Sequence, residues 1–218
     1  MKIVLIHAVQ AAMQPIINAF KQYWFKAEIL NVLDEGLSSE RAKSQNLTPK
    51  LKKRIADLTE YAISLNADAI LFTCSAFGEA IDEVAKNSPI PVLKPNEGMF
   101  RLALQQGKRI GMIASFQPAV AGMEQEFDEL AKALNPAATI RTVCVSEAKA
   151  ALNKGDIETH NRLMAEAVKQ FNDEDIILLA HFSSSTALPE ASALCSKPIL
   201  TSPKSAVDLL KEILIKAN

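Results

Sequence analysis

The chain has 218 residues, with 24 Lys and Arg set against 25 Asp and Glu, and 49% of its residues are hydrophobic. So even a charge balance excludes a dedicated nucleic-acid binder, and so large an apolar share excludes a disordered chain. The length suits one large domain or two small ones.

The opening MKIVLIHAV carries one lysine, a short apolar run and no small-residue cleavage site, which reads as a first strand rather than a signal peptide. No apolar stretch approaches the roughly 18 residues of a membrane helix, so no membrane partner is expected. Further short apolar runs follow at Ala27 to Leu33, Ala69 to Phe72, Pro91 to Leu93, Ile110 to Ala114, Thr139 to Val145, Ile176 to Ala180 and Ile199 to Thr201. With Ile3 to Ile6 they read as eight buried parallel strands. Amphipathic segments separate them. In LTPKLKKRIADLTEYAISLNA, Leu51, Ile55, Leu58, Ala62 and Leu65 share one helical face, and Thr48 with Pro49 form the cap and first turn. The β-α alternation predicts an α/β fold with ligands at the carboxyl ends of the strands.

The chain also repeats itself. Setting DAILFTCSAF from Asp68 against DIILLAHFSS from Asp175 fixes an offset of 107, and the same offset pairs Pro91 and Leu93 with Pro198 and Leu200. It further pairs Ile3, Ile6, Gln10, Ala12 and Phe20 with Ile110, Ile113, Gln117, Ala119 and Phe127. Identities recur well above the one pair in about fifteen expected by chance. The run Ala27 to Leu33 matches Thr139 to Val145 after a shift of about four residues, as a loop insertion would produce. The fold expected is therefore two similar parallel-sheet α/β subdomains about a pseudo-two-fold axis, with equivalent strand ends facing each other. Cys74 is then the counterpart of His181, His7 of Ala114, and Ala8 of Ser115.

Chemistry concentrates at those strand ends. Cys74 follows the strand Ala69 to Phe72 where a helix begins, so the N–H groups of Ser75 and Ala76 are expected to point at its sulfur and favour the thiolate. His181 occupies the equivalent turn, before Phe182 and Ser183, and a helix start there keeps its imidazole neutral. His7 is a weaker strand-end candidate. Cys144 reads as core, Cys195 as a loop residue, and His160 and Arg41 as solvated. Three cysteines without disulfide or zinc spacing predict free thiols in a reducing, cytoplasmic setting. There is no G-x-G, no G-x-x-x-x-G-K, no H-x-x-x-H and no G-x-S-x-G, so neither nucleotide loops, a metal pair nor a hydrolase elbow is expected. No metal and no organic cofactor is implied.

With its LFTCSAFG turn and the equivalent LLAHFSSS, the chain resembles the aspartate/glutamate racemase superfamily, which includes hydantoin racemase, arylmalonate decarboxylase and maleate isomerase. The resemblance spans essentially the whole chain. It implies subdomains 1–95 plus 203–218 and 96–202, cofactor-independent chemistry, a small carboxylate substrate, and Cys74 as a catalytic thiol. Substrate-binding turns would fall on Ser75 and Ala76, on Ser115, and on Phe182 and Ser183, with His7 beside them. Two features depart from the family pattern: Ala180-His181-Phe182 replaces the second Gly-Cys-Thr turn, and His7 and Ala8 stand where amino-acid racemases carry an aspartate. The expected activity is proton transfer at a carbon next to a carboxylate, between Cys74 and His181. The alternatives are a single-thiol decarboxylase or cis-trans isomerase, and a non-catalytic carboxylate-binding protein. A homodimer is expected from the prevalence of symmetric assemblies, and the loop DEGLSSERAKSQN is expected to shape the pocket.

Overall fold

A computed structural model describes residues 1–44 and 46–216. Its first half runs β1 (Lys2–His7), α1 (Met13–Tyr23), β2 (Glu28–Leu33), α2 (Glu35–Arg41), α3 (Pro49–Ser64), β3 (Ala69–Phe72), α4 (Gly78–Asn87), β4 (Val92–Leu93) and α5 (Glu97–Gln106). The second runs β5 (Arg109–Ala114), α6 (Gln117–Leu134), β6 (Thr139–Cys144), α7 (Ser146–Asn153), α8 (Ile157–Glu166), β7 (Ile176–Leu179), α9 (Leu188–Leu194), β8 (Ile199–Thr201) and α10 (Ser202–Lys216). Short 3-10 turns lie at Gln10–Ala12, Ser75–Phe77, Ala167–Gln170 and Phe182–Ala187. All eight expected strands form. Two four-stranded parallel sheets result, ordered β2-β1-β3-β4 and β6-β5-β7-β8, so the α/β fold with two equivalent parallel sheets is as expected. Among the described residues no helix is long and apolar enough to cross a membrane.

The repeat register holds in three dimensions. Strands β5 and β7 occupy the positions of β1 and β3 displaced by 107 residues, whereas β6 requires a larger displacement, since Lys2 pairs with Glu28 and Arg109 with Thr139. The cause is a longer helix. In the first half a 3-residue 3-10 turn leads to an 11-residue helix, and in the second α6 is continuous over 18 residues. The extra four residues are about one helical turn, so the apolar face keeps its direction, and both Phe20 and its counterpart Phe127 are buried.

Side-chain alternation in the strands sorts the core into layers. On the first sheet Val4, Ile6, Ile70 and Phe72 face one way, while Ile3, Leu5, Ala69 and Leu71 face α1 and Ala206, Val207 and Leu210 of α10. On the second sheet, the counterparts Ile110, Met112, Ile176 and Leu178 join a layer with α6 and with Met99, Phe100 and Ala103 of α5. Thus the helix that ends each half packs with the sheet of the other. Burial of each of the larger apolar side chains among these stabilises by about 1.5–3 kcal/mol. Where α5 and α10 cross, a Cβ at Gly98 would lie 2.3 Å from the carbonyl oxygen of Ser205. Gly98 and Ser205 are themselves repeat counterparts, so the local two-fold axis passes between them. The outer strands β2 and β6 are less buried than the fully buried strands expected, because each is a sheet edge.

Two residues expected to be solvated are not. His160 on α8 is fully buried and its Nδ1 lies 2.9 Å from the carbonyl oxygen of Ala148; the helix turns this face onto α7, which the polar sequence around it disguised. Arg41 at the end of α2 is 6% exposed. It donates hydrogen bonds to the carbonyls of Ala76 (3.1 Å), Pro118 (2.7 Å) and Ser44, tying the Cys74 turn to α6 of the other half. Its segment, read as a loop after the second strand, forms α2; Gln45 within it, and Ala217 and Asn218 at the end of the chain, lie outside the described residues.

Candidate active site

The strand β3 delivers Cys74 to the carboxyl edge of the first sheet, and β7 delivers His181 to that of the second. Both line one small cavity of about 30 Å³. Its wall is built from counterparts: Cys74 and His181, Val9 and Phe116, and, with the four-residue insertion counted, Ser38 of α2 and Lys149 of α7. Thr73, Ser115, Phe182 and Ser183 complete much of the rest. The volume is enough for about two waters.

Each turn leaves its strand differently. Cys74 keeps an extended backbone and its side chain accepts no capping hydrogen bond; the Ala76 N–H in the following 3-10 turn only favours the charged sulfur electrostatically. His181 has φ 71° and ψ 137°, a conformation that costs a non-glycine residue of order 1–3 kcal/mol. Such strain persists where surrounding contacts over-determine it. Here the His181 carbonyl accepts from the N–H of Ser184 (3.1 Å), and Nδ1 lies 2.9 Å from Oγ of Ser75 on the opposite half. The other ring nitrogen, Nε2, is buried without a hydrogen-bond partner.

The electrostatics correct one expectation. Burial raises the Cys74 thiol above its ordinary pKa; the Ala76 N–H, Lys149 and Arg41 act in the opposite direction but do not outweigh it. The thiol is followed by a short 3-10 turn without a capping hydrogen bond to the sulfur, rather than by the aligned dipoles of a full α-helix, which begins at Gly78. At neutral pH the group is therefore a thiol, not the thiolate read from the helix start. His181 is pushed down to about 3, first by burial and then by Lys149 and His160, and is neutral as anticipated. Burial also lowers Lys149, against the pull of Cys74.

Of the other residues singled out in the sequence, Ser115, Phe182 and Ser183 line the cavity with Cys74 and His181. Ser75 bonds His181, and both Ser75 and Ala76 also form the wall of a larger groove of about 760 Å³ between α4 and α6. That groove contains neither the thiol nor the imidazole, so its size does not make it the chemical centre. His7 is fully buried and does not line the cavity; its Nδ1 lies 2.8 Å from Thr73 Oγ1 and its Nε2 3.0 Å from Asn31 Oδ1. It braces Thr73 from behind. Cys144 sits half-buried at the end of edge strand β6, and Cys195 at the end of α9. All three cysteines are free, and among the described residues no group of three or more His, Cys, Asp or Glu is placed to hold a metal ion. Lys149 escaped the sequence reading, although the four-residue shift that aligns the second strands would have paired it with Ser38.

A family model described as Asp/Glu/Hydantoin racemase matches residues 35–180, a span that includes the Cys74 turn and stops one residue before His181. No curated protein sequence matches the chain. Among solved structures, glutamate racemase from Francisella tularensis, in complex with D-glutamate, superposes with a TM-score of 0.81 at 15% identity, covering 99% of this chain and 81% of that one. Allantoin racemase from Klebsiella pneumoniae gives 0.69 at 13%, covering 100% and 89%. A mutant of arylmalonate decarboxylase in its liganded form gives 0.62 at 14%, covering 96% and 91%. At such identities the likeness concerns the fold.

Proposed function

We propose that this chain, which belongs to the Asp/Glu/hydantoin racemase family, moves a proton at a carbon next to a carboxylate, with His181 on one face and Cys74 on the other. The observation that carries this reading is that these two residues, at equivalent strand ends of the two halves, line one cavity. Their resting forms are complementary. A neutral imidazole with its proton on Nδ1, donated to Ser75 Oγ, leaves Nε2 as a base, and the Cys74 thiol is an acid. As Nε2 takes the α proton, the electron pair moves into the carboxylate to give an enolate-like intermediate. The thiol then donates its proton to the opposite face, leaving thiolate and imidazolium; the reverse reaction starts from that pair. N–H groups of the 3-10 turns stabilise the enolate charge, each by on the order of 3 kcal/mol. The relatives named as racemases support the assignment by analogy of fold. On the same ground the proposed functional subdomains are 1–95 with 203–218, and 96–202.

A second reading is favoured by one specific observation: Cys74 is the one thiol on the described wall of the cavity. A decarboxylase or cis-trans isomerase needs a single sulfur, to protonate a planar intermediate or to add to a double bond. The experiment for both is incubation of small carboxylic acids in D2O, with products followed by NMR and chiral chromatography. Proton transfer on two faces puts deuterium at the α carbon of both enantiomers, whereas single-thiol chemistry yields one. The variant Cys74→Ala is expected to lower the rate by about 10²–10⁴-fold; an unchanged exchange rate rejects both readings.

A further inference from the structure

Lys149 lies within α7 and reaches the cavity that holds Cys74 and His181. It is half-buried, and among the described residues it makes neither a hydrogen bond nor an ion pair. Its electrostatic neighbours are Cys74, His181 and His160, with Arg41 acting on the same sulfur. No Asp or Glu stands on the described wall. A cation in a partly desolvated cavity is costly without an opposite charge, and here the described wall offers no carboxylate, with the protonated Cys74 as its nearest acidic group. The compensating anion must come from the ligand.

We infer that Lys149 is the anion-binding, specificity-determining residue of this cavity, and that the acid it selects carries no ammonium group at its reacting carbon; this rests on the proton-transfer reading in taking the cavity as the substrate site. An α-amino acid would bring its ammonium beside Lys149 with no carboxylate on the wall to receive it. A small dicarboxylate fits the charge pattern, with one carboxylate on Lys149 and the other on the turn N–H groups. Its binding also changes the reacting pair. Lys149 opposes a positive charge on His181, and a bound anion cancels that opposition, so the imidazole becomes an effective base once the substrate is in place.

The test uses the full chain and malonate as the probe. Alkylation of Cys74 by iodoacetamide, read by peptide mass spectrometry so that Cys144 and Cys195 are counted separately, reports occupancy. Malonate should protect the wild-type protein and Lys149→Arg, while Lys149→Met should need roughly tenfold to a hundredfold more malonate, as for a lost charged hydrogen bond. The pH midpoint of Cys74 alkylation should rise in Lys149→Met and return in Lys149→Arg. Equal protection of wild type and Lys149→Met, absence of protection by malonate, or protection by alanine as strong as by malonate would overturn the assignment. Lys149-dependent protection without deuterium exchange in any acid would remove the proton-transfer reading while upholding the anion site.

Discussion

Oγ of Ser75 lies 2.9 Å from Nδ1 of His181, a hydrogen bond that ties the Cys74 turn of one half to the strained turn of the other. Because it uses Nδ1, it directs the remaining nitrogen inward, where Nε2 is buried and unpartnered. Replacing Ser75 with Ala should release the ring and lower any Cys74-dependent exchange about tenfold to a hundredfold, mainly in kcat, since a misplaced reacting group loses near-attack geometry rather than substrate affinity. Steady-state kinetics in D2O separate the two parameters.

Neutral His181 makes folding sensitive to acid. Its folded pKa, about 3, lies below the ordinary 6.5, so the unfolded chain binds more protons between those values. The stabilisation is complete above about pH 6.5 and is lost as pH falls toward 3. His7 and His160 are lowered as well and act in the same direction. Urea denaturation near pH 7 and near pH 5 should show the decline, and His181→Gln should make it shallower. Equal slopes for the two proteins would refute the assignment to His181.

Glu126 on α6 has the opposite sign. It stands at the repeat position of Ala19 but is buried on the wall of the groove between α4 and α6, and burial raises its pKa to about 8. Lys94, 3.9 Å away, pairs with Asp82 at 2.8 Å and is too distant for a direct hydrogen bond to Glu126 Oε1, which has no hydrogen-bond partner. The folded state binds the extra proton between about 4.5 and 8, so stability falls as pH rises through that window. Glu126→Gln should therefore be more stable relative to wild type near pH 9 than near pH 6, by about 1–3 kcal/mol, measured by chemical denaturation.

Gly98 should be intolerant of any side chain. Its Cβ would meet the Ser205 carbonyl at 2.3 Å, and both partners are backbone on packed helices. Gly98→Ala should cost about 1–3 kcal/mol or more through forced separation of α5 and α10, while Gly122→Ala, with open space around its Cβ position, should be neutral or slightly stabilising. Thermal denaturation of the pair provides the comparison.

Arg41 predicts a link between the groove and the thiol. Arg41→Met leaves the Ala76 and Pro118 carbonyls short of a donor and removes a charge that lowers the Cys74 pKa. Stability should drop by about 1–3 kcal/mol, and iodoacetamide should react with Cys74 more slowly at a fixed pH. Arg41→Lys keeps the charge but not the fork of donors, so it should restore alkylation more fully than stability.

Much of this molecule was readable in one dimension. Parallel strands buried on both faces are continuous apolar runs, so Ile3 to Ile6, Ala69 to Phe72 and Ile176 to Leu179 announce themselves, and a repeat at an offset of 107, shifted by about four residues at the second strand, carries the order of one sheet over to the other. The same register pairs Cys74 with His181 before any coordinate is known. What sequence order alone does not carry is burial and charge across the interface between the halves. Lys149 and Ser38 meet at the cavity through a helical insertion one turn long, His160 and Arg41 are buried by neighbours remote in the chain, and the Cys74 sulfur is desolvated enough to hold its proton. Local pattern determined where the Cys74 and His181 turns stand; tertiary packing decided their protonation, because desolvation and long-range charge depend on every element that closes over the site.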